Sequence, residues 1–166
     1  MTARGAVVWI TGLPSSGKST LAEALSVALH LRETPTVILD GDAVRGCLVP
    51  ARGYDAAARA DLYETLARLA AMVADQGLVV LVPATAAQRA FRARARALAG
   101  RYVEVFVDVP IETCVRRDAK GLYASGTADL PGATSPFERP SNPDVTVTGA
   151  AAGDVRAVLA AIDALA

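Results

Sequence analysis

One octapeptide restricts the fold of this chain more than any other feature. Gly12-Leu13-Pro14-Ser15-Ser16-Gly17-Lys18-Ser19 matches the pattern G-x-x-x-x-G-K-[ST] in full. It follows a strand-like run, Ala6 to Thr11, and opens a helix-like stretch, Lys18 to Leu31. Glycines in such a loop let the backbone wrap until successive N–H groups point at phosphate oxygens, and the helix N-terminus adds partial positive charge. In that setting Lys18 neutralises the β and γ phosphates of a nucleoside triphosphate, and the Ser19 hydroxyl holds Mg²⁺. The octapeptide therefore predicts ATP or GTP binding on a strand–loop–helix unit.

The rest of the chain continues that unit. Thr36 to Asp40, Leu78 to Val82, Tyr102 to Val107 and Val145 to Thr148 are short, β-branched runs that read as buried strands. Between them, Asp55 to Gln76 places Leu62, Leu66, Leu69 and Val73 on one helical face. Gln88 to Leu98 reads as a basic helix, Ile111 to Arg117 as a short one and Val155 to Leu165 as the last. Strands alternating with helices predict a three-layer α/β architecture, the P-loop NTPase fold, with a mainly parallel sheet and helices on both faces. No linker or repeat divides it, so residues 1–166 form one domain, with ligands expected at the carboxyl ends of the strands. Residues 119–143, rich in glycine and proline and poor in periodic apolar positions, break the rhythm and read as a functional loop, with a lid at about 119–140.

Composition excludes several partners. Seventeen basic side chains balance 17 acidic ones, and a zero net charge argues against a protein that coats nucleic acid or an anionic membrane. The longest apolar stretch, Leu78 to Ala87, contains Pro83 and falls well short of the roughly 20 residues that span a bilayer. Cys47 and Cys114 lie in no metal-ligand or Cys-x-x-Cys spacing, which predicts two buried thiols in a reducing, cytoplasmic setting. Fifteen of the basic residues are arginine, and only Lys18 and Lys120 are lysine. Neither lysine lies in an Asn-Lys-x-Asp segment, the reader of guanine in GTPases, so ATP is the expected nucleotide.

Leu39-Asp40-Gly41-Asp42-Ala43-Val44-Arg45 puts two carboxylates and an arginine at the end of the second strand, beside the phosphate loop. A carboxylate there can accept a proton from an attacking hydroxyl or hold the Mg²⁺ shell, and Arg45 can clamp an anion. The competing reading of the same residues is an Asp-Gly turn that caps a helix.

Together these segments resemble the adenylyl-sulfate kinase family. The resemblance rests on Gly12 to Thr20 (GLPSSGKST), Leu39 to Arg45 (LDGDAVR), Val105 to Tyr123 (VFVDVPIETCVRRDAKGLY), Ser135 to Pro140 (SPFERP) and Asn142-Pro143, in order over nearly the whole chain. It implies transfer of the ATP γ-phosphate to the 3′-hydroxyl of adenylyl sulfate, with Mg²⁺, by an enzyme that is typically a homodimer. By position it assigns Gly12 to Thr20 to the ATP phosphates and Mg²⁺ and Arg117 to the ATP base; with the carboxylate reading above, Ser19 and Asp40 are the residues expected at the metal. It also assigns Asp42 to the acceptor hydroxyl, Arg45 and Arg59 to the acceptor nucleotide, and Lys120 to a mobile lid, leaving Asp42, Lys18 and Lys120 as the catalytic set.

Departures from the family pattern cluster in the acceptor pocket. Tyr54 replaces a phenylalanine, Leu62 an amide, and Ala86 a serine within Ala84-Thr85-Ala86-Ala87-Gln88-Arg89, where Arg89 is retained. Leu130 stands where a phenylalanine would stack on adenine, and the lid is shorter. A lost buried hydrogen-bond partner costs about 1–3 kcal/mol, and a lost base-stacking aromatic about as much. The acceptor is therefore open between adenylyl sulfate and another small-molecule hydroxyl. A nucleotide-binding regulator is a third reading, opposed by Asp42 and Lys120, which a sensor does not need. Arg89, Arg92, Arg94 and Arg96 read as a solvated face, Trp9 as core and His30 as a helix end or surface residue.

Overall fold

The computed structural model describes residues 5–165. Five strands, β1 (Ala6–Thr11), β2 (Thr36–Ile38), β3 (Val79–Pro83), β4 (Tyr102–Val107) and β5 (Val145–Val147), form one sheet in the order β2-β3-β1-β4-β5, with every pairing parallel. Helices α1 (Lys18–His30), α2 (Gly41–Cys47), α3 (Ala56–Ala74), α4 (Arg89–Leu98), α5 (Ile111–Arg117) and α6 (Ala152–Asp163) connect and flank it.

The pleat of β1 separates the two halves of the core. Val8 and Ile10 point to a layer built by Leu21, Leu25 and Leu29 of α1 and by Val158 and Ile162 of α6. Val7 and Trp9 point the other way, onto Leu62, Leu66 and Ala70 of α3 and Ala95 of α4. Burial on both faces explains why β1 is apolar throughout rather than alternating. The predicted three-layer fold is the observed one, Trp9 is core, and His30 ends α1 in an exposed position.

Three expectations change. β2 stops at Ile38 instead of Asp40, although the Leu39 N–H still donates to Leu81 O at 2.8 Å. The reading of the Asp-Gly segment as a turn that caps a helix is borne out: Asp40 caps α2, its Oδ1 accepting from the N–H groups of Asp42 (2.9 Å) and Ala43 (3.1 Å). Cys47, at the end of that short helix, is exposed, whereas Cys114 is buried. Arg92 does not belong to a solvated face. It is 2% exposed and paired with Glu104 at 3.0 Å, a buried charge satisfied by a carboxylate and by two backbone carbonyls, Ala86 O and Glu138 O. Arg94 and Arg96 are ion-paired with Glu64 and Asp144.

Between α5 and β5 the described residues hold no helix or strand beyond an isolated bridge, Pro131–Ser135, as the glycine and proline content predicts. The segment is nevertheless tied down. The Asp118 carboxylate accepts from the Tyr123 and Ala124 N–H groups at 3.0 and 2.9 Å, and Phe137 stacks on Phe106.

Candidate active site

The octapeptide wraps as its glycines allow. A Cβ at Gly12 would lie 2.8 Å from both Ser16 Oγ and Val107 O, so the loop packs against the end of β4 only because that position carries no side chain. Lys18 is half-buried, and its ammonium donates to the loop's own carbonyls, Gly12 O at 3.1 Å and Leu13 O at 2.7 Å. Burial, reinforced by the nearby Lys120 ammonium, pulls the Lys18 pKa down to about 8. The Ser15 and Ser16 hydroxyls are buried with no partner among the described residues. Buried hydroxyls rarely stay unsatisfied, and an anion seated in the loop would satisfy them. Arg117 closes one side, its Nη1 donating to Ser16 O at 3.3 Å.

Asp40 serves two neighbours with two oxygens. Oδ1 caps α2 while Oδ2 lies 3.4 Å from Ser19 Oγ, so one oxygen serves the helix start and the other faces the phosphate loop. That cap aims Asp42, in the first turn of α2, at Lys120, with which it forms an ion pair across 78 residues of chain. Asp42 raises the Lys120 pKa above its ordinary value, first by hydrogen bonding.

Two cavities meet at this pair. One, about 510 Å³, is lined by residues 14–20 of the loop, Asp40, Leu62, Thr85 and Arg117. The other, about 640 Å³, is lined by Tyr54, Arg59, Phe91, Asp129, Leu130 and Glu138. Asp42, Arg45, Tyr63, Thr85 and Lys120 line both. Arg45 donates to Gly53 O and stacks its guanidinium 4.3 Å from the centroid of Tyr54. Arg59 is held by Asp129. Leu62 lines the first cavity at 3% exposure, as part of the α3 core.

Two residues expected at the acceptor lie outside both linings. Ala86 is fully buried in the core, its N–H donating to Tyr63 Oη at 3.0 Å. Arg89 is engaged with the far end of the lid, its N–H donating to Glu138 Oε2 at 2.7 Å and its Nε to Arg139 O at 3.0 Å. Leu130 reaches the second cavity and is 6% exposed.

Sequence reasoning missed Tyr63, Asp129 and Glu138. Tyr63 touches both cavities, packs 4.7 Å from Phe91, and burial pushes its phenol pKa up. Its one sequence signal is the spacing of four from Arg59, which puts both on one face of α3. The lid meets the phosphate loop at two points. Tyr123 Oη donates to Pro14 O at 2.9 Å, and a Cβ at Gly132 would come within 2.4 Å of Leu13 Cδ2.

A family model described as adenylylsulphate kinase matches residues 4–148. The chain belongs to the adenylylsulphate kinase family. An adenylyl-sulfate kinase from Citrobacter koseri is 43% identical over 152 residues, covering 88% of this chain and 76% of its own. The bifunctional enzyme NodQ of Rhizobium sp. strain BR816 is 44% identical over 148 residues; the match covers 86% of this chain but only 23% of that larger protein. Among solved structures, the Mycobacterium tuberculosis APS kinase CysC, in complex with AMPPNP and APS, superposes with a TM-score of 0.89 at 38% identity, covering 97% of this chain and 99% of its own. These matches agree with the P-loop kinase fold and with the kinase family implied by the sequence. No helix among the described residues is long and apolar enough to cross a membrane.

Proposed function

We propose that this chain moves the γ-phosphate of ATP to the 3′-hydroxyl of adenylyl sulfate. The observation that carries the reading is the meeting of Asp42 and Lys120 at the mouth of the phosphate loop, where the two cavities join. A donor in the first cavity and an acceptor in the second would then face each other across one carboxylate and one ammonium.

Each residue has a task in this reading. Lys18 exchanges its loop carbonyls for phosphate oxygens and, with the loop N–H groups, stabilises the charge that spreads over the transferred group. Asp42 orients the acceptor hydroxyl and takes its proton as the new P–O bond forms and ADP leaves. Arg117 is the expected contact to the ATP base. Arg45, Arg59 and Tyr54 receive the acceptor nucleotide. Lys120, carried by the 119–140 segment, brings positive charge to the junction and helps exclude water. Ser19 Oγ and Asp40 Oδ2 are hard oxygen donors suited to Mg²⁺, which when bound supplies charge neutralisation on the β and γ phosphates.

A second reading keeps the donor half and changes the acceptor. Leu130 supplies no ring to the second cavity, the acceptor side of this reading. That favours a different small-molecule hydroxyl. Incubation with ATP, Mg²⁺ and adenylyl sulfate, following ADP and the 3′-phosphorylated product, tests the first reading. Tight ATP binding without turnover of adenylyl sulfate would sink it, and a screen of hydroxyl acceptors then tests the second. A cytoplasmic homodimer is part of the proposal; equilibrium sedimentation of the full chain checks its stoichiometry.

A further inference from the structure

The wall of the second cavity carries three cations, Arg45, Arg59 and Lys120, and three carboxylates, Asp42, Asp129 and Glu138. Two of the cations are already matched: Lys120 with Asp42, and Arg59 with Asp129. The second match is between α3 and the lid, 70 residues apart. Arg59 Nη1 donates to Asp129 Oδ2 at 2.6 Å and Nη2 to Asp129 O at 2.9 Å. One residue thus occupies both terminal nitrogens of the guanidinium, the fork with which an arginine grips a phosphate or sulfate. Asp129 does so from a backbone φ of +60°, a left-handed conformation that aspartate tolerates better than most side chains. Its side chain is 53% exposed, so the carboxylate can leave without unfolding the loop.

We propose that Asp129 is a specificity-determining residue of the acceptor site. It holds the anion-binding fork of Arg59, and an anionic acceptor enters this part of the cavity by exchanging with the Asp129 carboxylate. The inference rests on the second cavity being the acceptor chamber. Its consequence is an acceptor affinity set by a difference between two anions, substrate and Asp129, instead of by Arg59 alone. A ligand without negative charge gains nothing from the exchange, so the pair tunes affinity for anionic acceptors specifically.

The test is Asp129→Asn, which keeps a side-chain oxygen and tolerates the same backbone but removes the competing charge. The expected result is a KM for adenylyl sulfate lowered about two- to fivefold, the range for an exposed ion pair. A merely structural tie would instead move kcat and the KM for ATP. In an Arg59→Gln background the same substitution is expected to have no effect on the KM for adenylyl sulfate. If the parent chain turns over adenylyl sulfate and Asp129→Asn leaves its KM unchanged or raised, or acts equally in the Arg59→Gln background, the inference falls and the functional reading stands. If the parent is inert and Asp129→Asn is active, the competing carboxylate is established as the barrier. If both are inert, the reading of the acceptor and the inference fall together.

Discussion

The two halves of the cleft are built by different means. On the side proposed for the donor the backbone makes the site: the loop wraps at Gly12 against Val107 O, and the Lys18 ammonium donates to the carbonyls of Gly12 and Leu13. On the side proposed for the acceptor, side chains from distant segments make it. Asp42 meets Lys120, Arg59 meets Asp129, and Arg45 lies on Tyr54. A backbone-built site tolerates almost no change in the residues that form it, whereas a site stitched from exposed ion pairs can be retuned one pair at a time. That contrast accounts for an octapeptide that matches its pattern in full beside a second cavity whose wall departs from the family at Tyr54 and Leu130.

The contrast breaks most readily at the residues nearest the chemistry. Asp42→Asn is expected to lower kcat by about 10²–10⁴, the usual contribution of a positioned base, while binding of ATP measured by calorimetry is retained. Lys18→Ala should cost about 10²–10³ in kcat. Circular dichroism that matches the parent would show that neither loss comes from unfolding; near-parental turnover by either variant would remove that residue from its role.

Gly132→Ala reaches across the divide. Its Cβ would strain a left-handed backbone, φ +83°, and come within 2.4 Å of Leu13 Cδ2, so the substitution should cost stability at residue 132 itself and displace the Leu13 side chain of the phosphate loop. The expected outcome is about 1–3 kcal/mol of lost stability by denaturant titration, with a raised KM for ATP as well as for the acceptor. A KM change confined to the acceptor would show the two halves to be uncoupled there.

The smallest effect is on pH dependence. Lys18 titrates near 8 in the free protein because burial and Lys120 disfavour its charged form. Below that pH the ammonium is present; above it the charge is lost. kcat/KM for ATP, which reports the free enzyme, should therefore decline as pH rises through about 8. The corresponding limb of kcat should lie at higher pH, since a bound triphosphate favours the ammonium. Coincident limbs would mean that another group controls the profile.

The three central strands were legible in the sequence because a parallel sheet buried on both faces leaves a continuous apolar signature, as in Val79–Pro83, and the half-buried edge strands β2 and β5 by their short β-branched runs. Helix α2 was legible only by its cap and not in its extent, for it spans seven residues, begins with glycine and has no buried position to impose a period. The loop that lines the first cavity was legible residue by residue, since its pattern is local. Tyr63, Asp129 and Glu138 were not, because what brings them to one cavity is the packing of α3 against a segment with no periodicity at all. Arg92 misled for a related reason: a helix carrying four arginines in eight residues looks solvated until Glu104, Ala86 O and Glu138 O are found around one of them.

The divided carboxylate of Asp40 has a consequence for how this position can change. An amide keeps an oxygen to hold the first turn of α2 yet gives up the negative charge beside Ser19. A glutamate keeps that charge but, with one more methylene, loses the short reach to the Asp42 and Ala43 N–H groups. Each conservative replacement sacrifices a different half, so the pair of variants, measured together, separates what the carboxylate does for the start of α2 from what its charge does beside Ser19.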